Sequence, residues 1–280
     1  MKKIFQRLLV FSLGIPLIAG IVLFLPYHHY LALNILVILF SALGAREFAL
    51  ILGRKGTAIH PVEAAVLGSL APVAAVLENL GEPGIFSSLP VLGASWLLAS
   101  RVFWSREKLK DYAERAAAGF SVMLYPGLFM ACIVRMTLFP QAGMVILAFL
   151  LIVFVNDSAA WAAGMLFGRG NRGVVAASPN KSIAGFIGGI GVSILLGIGA
   201  EIWGRPVFAS RLPPSLGGII IGLCTGIAAN LGDLAESAMK RSAGVKDSGA
   251  LIPGRGGVLD CIDSLSLAAP VFYIIYRLIF

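Results

Sequence analysis

Five of the six aspartates in this 280-residue chain fall between positions 157 and 263: Asp157, Asp233, Asp247, Asp260 and Asp263, with Asp111 the sixth. Their spacing is that of helix faces. Asn230, Asp233 and Ser237 are three and four residues apart, so on a helix they share one face, and Asp260 and Asp263 share another. Two faces bearing oxygen ligands suit a hard cation such as Mg2+, which keeps several waters and binds through a few carboxylates and substrate phosphate. No basic residue lies three or four positions from Asp233, so an intrahelical ion pair does not explain it. Glu236, by contrast, precedes Lys240 by four and is expected to pair with it.

Between the two faces runs a segment of opposite character. Residues 237–263 supply the cations Lys240, Arg241, Lys246 and Arg255, and the glycines Gly254, Gly256 and Gly257 just before a helix start. Glycine lets a backbone approach a ligand closely, and a helix N-terminus holds phosphate through its free amides and dipole. A basic loop that merely faces anionic lipid needs no carboxylates. Cations, carboxylates and glycines together point to a metal–phosphate site. Upstream, Asp157 in Val155-Asn156-Asp157-Ser158 lies within an apolar run, where a carboxylate is costly and marks function ahead of a plain helix–helix hydrogen bond. A second polar loop follows it, carrying Arg169, Arg172 and Lys181.

The elements that must carry these residues are set by the rest of the composition. The chain is 58% hydrophobic and 13% charged, about half the charge of a soluble domain, so its solvent is lipid. Apolar runs between short polar or Gly/Pro breaks predict an all-α integral membrane protein of about nine transmembrane helices. They lie near 8–25, 30–52, 62–80, 84–102, 117–138, 143–168, 182–203, 215–235 and 264–280. The first follows Met1-Lys2-Lys3, exceeds a signal-peptide core in length and is read as a retained anchor. The chain divides into N-terminal transmembrane helices, 1–140, and a C-terminal catalytic transmembrane region, 141–280.

With the N-terminus inside, the cytoplasmic segments hold sixteen Lys and Arg, Arg106 and Lys108 among them, against Arg205 and Arg211 opposite. That asymmetry predicts a cytoplasmic N-terminus, an external C-terminus and polar loops facing the cytoplasm. The net charge of +8 then belongs to inner loops. Nothing interleaves basic and aromatic residues as a nucleic-acid groove would, so anionic lipid or a phosphorylated small molecule is the expected partner. Cys132, Cys224 and Cys261 form no CxxC, which argues against disulfides and zinc, and His28, His29 and His60 read as interfacial.

The polar region as a whole resembles a known family. Ser237-x-x-Lys240-Arg241-x4-Lys246-Asp247-x-Gly249-x-x-Ile252-Pro253-Gly254-x-Gly256-Gly257-x-x-Asp260-x-x-Asp263 is similar to the signature of phosphatidate cytidylyltransferases, or CDP-diacylglycerol synthases. Asn156-Asp157-Ser158, Phe167-Gly168, Ser178-Pro179-x-Lys181-Ser182 and Gly232-Asp233-Leu234-x-Glu236-Ser237 match the same pattern. The resemblance covers roughly 150–265; earlier residues agree mainly in being apolar helices.

It implies a nine-helix, often dimeric enzyme of the cell inner membrane that makes CDP-diacylglycerol and pyrophosphate from CTP and phosphatidate, using Mg2+ and in some members K+. The metal ligands it implies are Asp233, Asp260 and Asp263. Lys181, Ser237, Lys240, Arg241, Lys246 and Asp247 would line the phosphate and nucleotide region, joined by Asn156, Asp157, Gly254, Arg255, Gly256 and Gly257. Two positions depart from the family: Arg255 stands where His is usual, and Cys261 where Arg is usual. Arg255 is expected to compensate in part for the missing cation, since a guanidinium bridges phosphate oxygens. A transporter has no need of the Ser237–Asp263 spacing, and a CDP-alcohol phosphatidyltransferase would need an Asp-Gly pair that this chain lacks. A CTP-dependent enzyme with another lipid acceptor, a CDP-archaeol synthase or polyprenol kinase, remains open.

Overall fold

A computed structural model describes residues 2–56, 59–103, 109–205 and 207–280, with side chains from residue 12 onward. Arg106 and Lys108 lie outside the described residues, as do the side chains of Lys2, Lys3 and Arg7. The main helices are α1 (Lys2–Phe24), α2 (Tyr27–Gly53), α3 (Pro61–Asn79), α4 (Ile85–Ala99), α5 (Tyr112–Met136), α6 (Ala142–Phe167), α7 (Ile183–Trp203), α8 (Leu216–Ser242) and α9 (Leu259–Ile279). Among the described residues there is no strand, only isolated bridges such as Ile252 with Gly256.

Seven helices, α2, α3 and α5–α9, are long and apolar enough to cross a membrane. The other two expected segments correspond to shorter apolar helices, Ser12–Phe24 within α1 and the 15-residue α4. Helix starts follow local chemistry. His60 caps α3, its Nδ1 accepting from Val62 N at 3.3 Å, with Pro61 at the first helical position. Ser182 caps α7 by accepting from Gly185 N at 3.1 Å. In α5, Pro126 has no amide to donate, and the helix widens to a π-turn over Met123–Leu128.

The chain forms two compact units: Met1–Arg135 with Ser242–Ile262, and Met136–Arg241 with Asp263–Phe280. In the first, α2 packs on α3, and α3 on α4 and the π-turn. Gly127 sits where a Cβ would come within 2.8 Å of the Gly68 carbonyl, so small residues set that approach. Two cations of this unit are paired: Arg101, just past α4, bonds Glu63 at 3.0 Å, and Arg135 in α5 bonds Glu78 beside the Phe86 ring.

In the second unit, Gly218, Gly222 and Gly226 recur every four residues on α8 and line its contact with α7. A Cβ on Gly218 or Gly222 would strike the α7 backbone at Gly197 or Ser193, and one on Gly226 would meet the Ser193 side chain. This stripe brings the two backbones together as small-residue repeats do in bilayers. Continued along the same helix face, it reaches Asn230, Asp233 and Ser237. An aromatic group of Phe149, Phe208, Phe272 and Tyr276 fills the rest of this core, with Tyr276 Oη donating to Val207 O at 2.9 Å. Ile187 and Leu195 point outward from α7, each 67% exposed, as lipid-facing residues must.

Candidate active site

The second unit gathers one polar group. Asn156 is fully buried, and its Oδ1 accepts from Ser193 Oγ at 3.2 Å and from Asn230 Nδ2 at 3.3 Å. Three helices are thereby stitched where the glycine stripe has brought them close. Asn156 Nδ2 donates to its neighbour Asp157 at 3.3 Å, and Asp157 Oδ2 accepts from Ser264 Oγ at 3.1 Å. One turn beyond Asn230, Asp233 Oδ2 lies 2.6 Å from Lys181 Nζ, and its Oδ1 accepts from Ser237 Oγ at 3.3 Å. Asp263 also belongs to this unit; Gly232 packs against its backbone, and its Oδ1 accepts from Ser264 N at 2.6 Å. Asn156, Asp157, Lys181, Asp233, Ser237 and Asp263 are thus brought into one neighbourhood. Lys240 pairs with the fully buried Glu236, as their spacing foretold, so its charge is already balanced.

The first unit holds a second group around the turn before α9. Ile252-Pro253-Gly254-Arg255 is a β-turn closed by Arg255 N to Ile252 O at 3.2 Å, with Pro second and a left-handed Gly254 third (φ 77°). Gly256, at φ 117°, takes a conformation other residues avoid. Asp260 Oδ2 accepts from Ser248 N at 2.9 Å, Ser248 Oγ at 2.8 Å and Gly257 N at 2.8 Å. The carboxylate also sits at the positive end of the α9 dipole. Arg255 Nε donates to the carbonyl of Asp260 at 3.3 Å, the peptide joined to Cys261. Lys246 and Asp247 are exposed on the same segment. Asp247 lines a cleft of about 650 Å³ with Ile51, Arg54, Ile59 and Pro61.

Spacing did not reveal Glu47. It is 5% exposed on α2 and accepts from Ser248 Oγ at 3.0 Å and Leu259 N at 2.9 Å. A carboxylate within an apolar helix was the available signal. Its partners lie 201 and 212 residues away, so no local pattern joins them.

The carboxylates and hydroxyls of the second unit form an oxygen-only donor set, which fits a hard cation. Among the described residues no three acidic, His or Cys side chains converge on one point.

Comparison with known proteins agrees with the signature. A model described as the cytidylyltransferase family matches residues 5–279. The chain is 40% identical over 136 residues to a phosphatidate cytidylyltransferase of Synechocystis sp., covering 48% of this chain and 44% of that protein. It is 36% identical over 184 residues to the enzyme of that name from Haemophilus influenzae, covering 63% and 60%. For the Bacillus subtilis protein of the same name the identity is 35% over 128 residues, 45% of each chain. The matched stretches span about half the length of these curated relatives.

Proposed function

This chain belongs to the cytidylyltransferase family, and we propose that it transfers CMP from CTP to phosphatidate, releasing pyrophosphate and forming CDP-diacylglycerol for phospholipid synthesis. The observation that carries this reading is the partly exposed Lys181–Asp233 pair, with the buried Ser237 bonded to it, beside Asp157 and Asp263. It offers cation, carboxylate and hydroxyl to phosphates at the end of a membrane helix.

The chemistry asks little of a base. A phosphatidate oxygen, already anionic near neutral pH, attacks the α-phosphorus of CTP. An oxygen–phosphorus bond forms, the bond from the α-phosphorus to the bridging oxygen breaks, and the electron pair leaves with pyrophosphate. What the protein contributes is alignment of two anions and neutralisation of charge on the leaving group. Lys181 serves as a phosphate clamp, exchanging its bond to Asp233 for one to a substrate oxygen, with Ser237 donating beside it. Arg241 adds a cation for the nucleotide phosphates, with Lys240 held by Glu236 until substrate enters; Lys246 and Arg255 are the further cations of the signature. Asn156 keeps Asp157 in place. Gly254 and Gly256 shape the turn before α9, and the cleft of the first unit beside Asp247 has the volume of an ordinary ligand pocket. Asp233 and Asp263 would hold Mg2+, with Asp260 the third carboxylate of the motif. When bound, the ion would polarise phosphoryl oxygens and stabilise the departing pyrophosphate.

The wider arrangement belongs to the same proposal. Ser12–Phe24 and α4 complete nine spans, with the N-terminus cytoplasmic, the C-terminus outside and the polar loops facing the cytoplasm of a bacterial inner membrane. Residues 141–280 hold most of the catalytic groups, K+ accompanies Mg2+, and two copies associate as a homodimer. Purified protein supplied with CTP, Mg2+ and phosphatidate should yield CDP-diacylglycerol and pyrophosphate in equal amounts. Turnover with an isoprenoid alcohol or archaeal ether lipid, and none with phosphatidate, would move the assignment to another acceptor.

A further inference from the structure

We infer that Glu47, in the half of the chain that carries no signature motif, is a positioning residue for the reaction, and that two signature glycines are small because its carboxylate occupies their side-chain space. The part concerning the reaction rests on the cytidylyl-transfer reading; the packing does not.

The carboxylate is placed to hold the turn. Its Oε2 accepts from Leu259 N, the first residue of α9, and from Ser248 Oγ at the other end of the 248–257 turn. Ser248 Oγ also lies 2.8 Å from Asp260 Oδ2 and accepts from Asp260 N at 3.3 Å. One hydroxyl proton therefore stands between two buried carboxylates, and the amides of Ser248 and Gly257 also donate to Asp260 Oδ2 and that of Leu259 to Glu47 Oε2. Such donors are worth most away from water, and removing one partner leaves the other stranded. Glu47 thus fixes where the first turn of α9 begins, and with it the direction of Asp260.

The glycines follow from the same geometry. A Cβ at Gly249 would lie 2.5 Å from Glu47 Oε1, and one at Gly257 would collide with Glu47 Oε2 and Ser248 Oγ. Neither glycine has the left-handed φ that Gly254 and Gly256 adopt, so space and not backbone conformation requires them. The Gly256-Gly257 pair accordingly has two separate reasons: the first turns the chain and the second makes room for Glu47.

The test compares wild type, Glu47→Gln, Glu47→Ala, Gly257→Ala and the Glu47→Ala/Gly257→Ala double variant in detergent, reading amide hydrogen exchange along the chain and turnover of CTP with phosphatidate. Glu47→Ala and Gly257→Ala should each speed exchange of peptides covering 246–262 by about 10-fold, with the remaining helices unchanged. The double variant should cost clearly less than the sum of the two single ones, because Gly257→Ala acts in part by displacing Glu47. Turnover should fall about 10- to 100-fold in these variants, and less in Glu47→Gln, which keeps an acceptor for Leu259 N. Unchanged local exchange, acceleration spread over the whole chain, or additive effects in the double variant would each overturn the inference. A wild-type protein inactive on CTP and phosphatidate would sink the functional reading, while the exchange data still decide the role of Glu47.

Discussion

The two polar groups differ in how finished they are. Around the turn before α9, Glu47, Ser248 and Asp260 are each 5–8% exposed, and Glu47 Oε2 and Asp260 Oδ2 each meet amide and hydroxyl donors within ordinary hydrogen-bond distance. In the second unit, the Lys181 and Asp233 side chains are 24% and 32% exposed, and their bond joins two charges that a phosphate can exchange. A closed group has no donors to spare for a substrate; a half-open one does. The comparison assigns shape to Glu47, Ser248 and Asp260 and chemistry to the Lys181–Asp233 pair, although the signature runs through both groups.

Charge removal in the second unit should therefore have the largest effect. Asp233→Asn and Asp263→Asn are expected to lower kcat by about 10³-fold, the scale seen when one preorganised electrostatic partner of a transition state is lost. The unfolding midpoint of Asp233→Asn should stay near that of the wild type. Activity near wild type in either variant would show that the half-open group is not where the reaction occurs.

Asp260→Asn should behave otherwise. Its Oδ2 answers three donors in a buried turn, so the substitution loses stability as well as activity, about 2 kcal/mol by the usual cost of disturbing charged hydrogen bonds. Thermal unfolding followed alongside turnover separates the cases. If Asp260→Asn loses activity with its midpoint unmoved, the division between a closed and an open group is wrong.

Asn156→Ala comes next. It leaves Ser193 and Asn230 short of an acceptor inside the helix bundle, and interhelical bonds of this kind are worth about 0.6–2 kcal/mol in membranes. Turnover should drop by about 10-fold through misplacement of Asp157 and Asp233. A Ser193→Ala variant, which removes one donor and keeps the acceptor, should cost less on both measures.

Much of this was legible in the residues. Helical spacing put Asn230, Asp233 and Ser237 on one face and paired Glu236 with Lys240, because three- and four-residue spacing is local information. Helix positions followed from apolar run length, although α1 and α4 have described apolar lengths below those of the seven longer helices. The links that spacing could not supply are long-range. Asn156 meets Asn230 across 74 residues, and Glu47 meets Ser248 across 201. Gly257 looked like a means for backbone to approach a ligand, whereas its Cβ space is taken by a carboxylate of α2. A glycine in a motif records that something is close, without saying what.

The smallest effect concerns the two positions that depart from the family pattern. Arg255 Nε bonds the carbonyl of Asp260, so its guanidinium lies beside the peptide that leads into Cys261. A cation supplied from position 255 thereby comes near position 261, where the resemblance leads one to expect a cation. On this reading Arg255→His alone should lower turnover and weaken CTP binding by about 10-fold, the value of one charge-assisted contact to phosphate. Adding Cys261→Arg should restore the loss, and the double reversion should exceed wild type by about threefold, because a guanidinium reaching over a backbone carbonyl is less well placed than one attached at the site. The coupling between the two substitutions is the quantity that decides. If Arg255→His costs the same with Cys or Arg at 261, or if the double reversion leaves CTP affinity and turnover unchanged, the two cations do separate work and partial compensation fails.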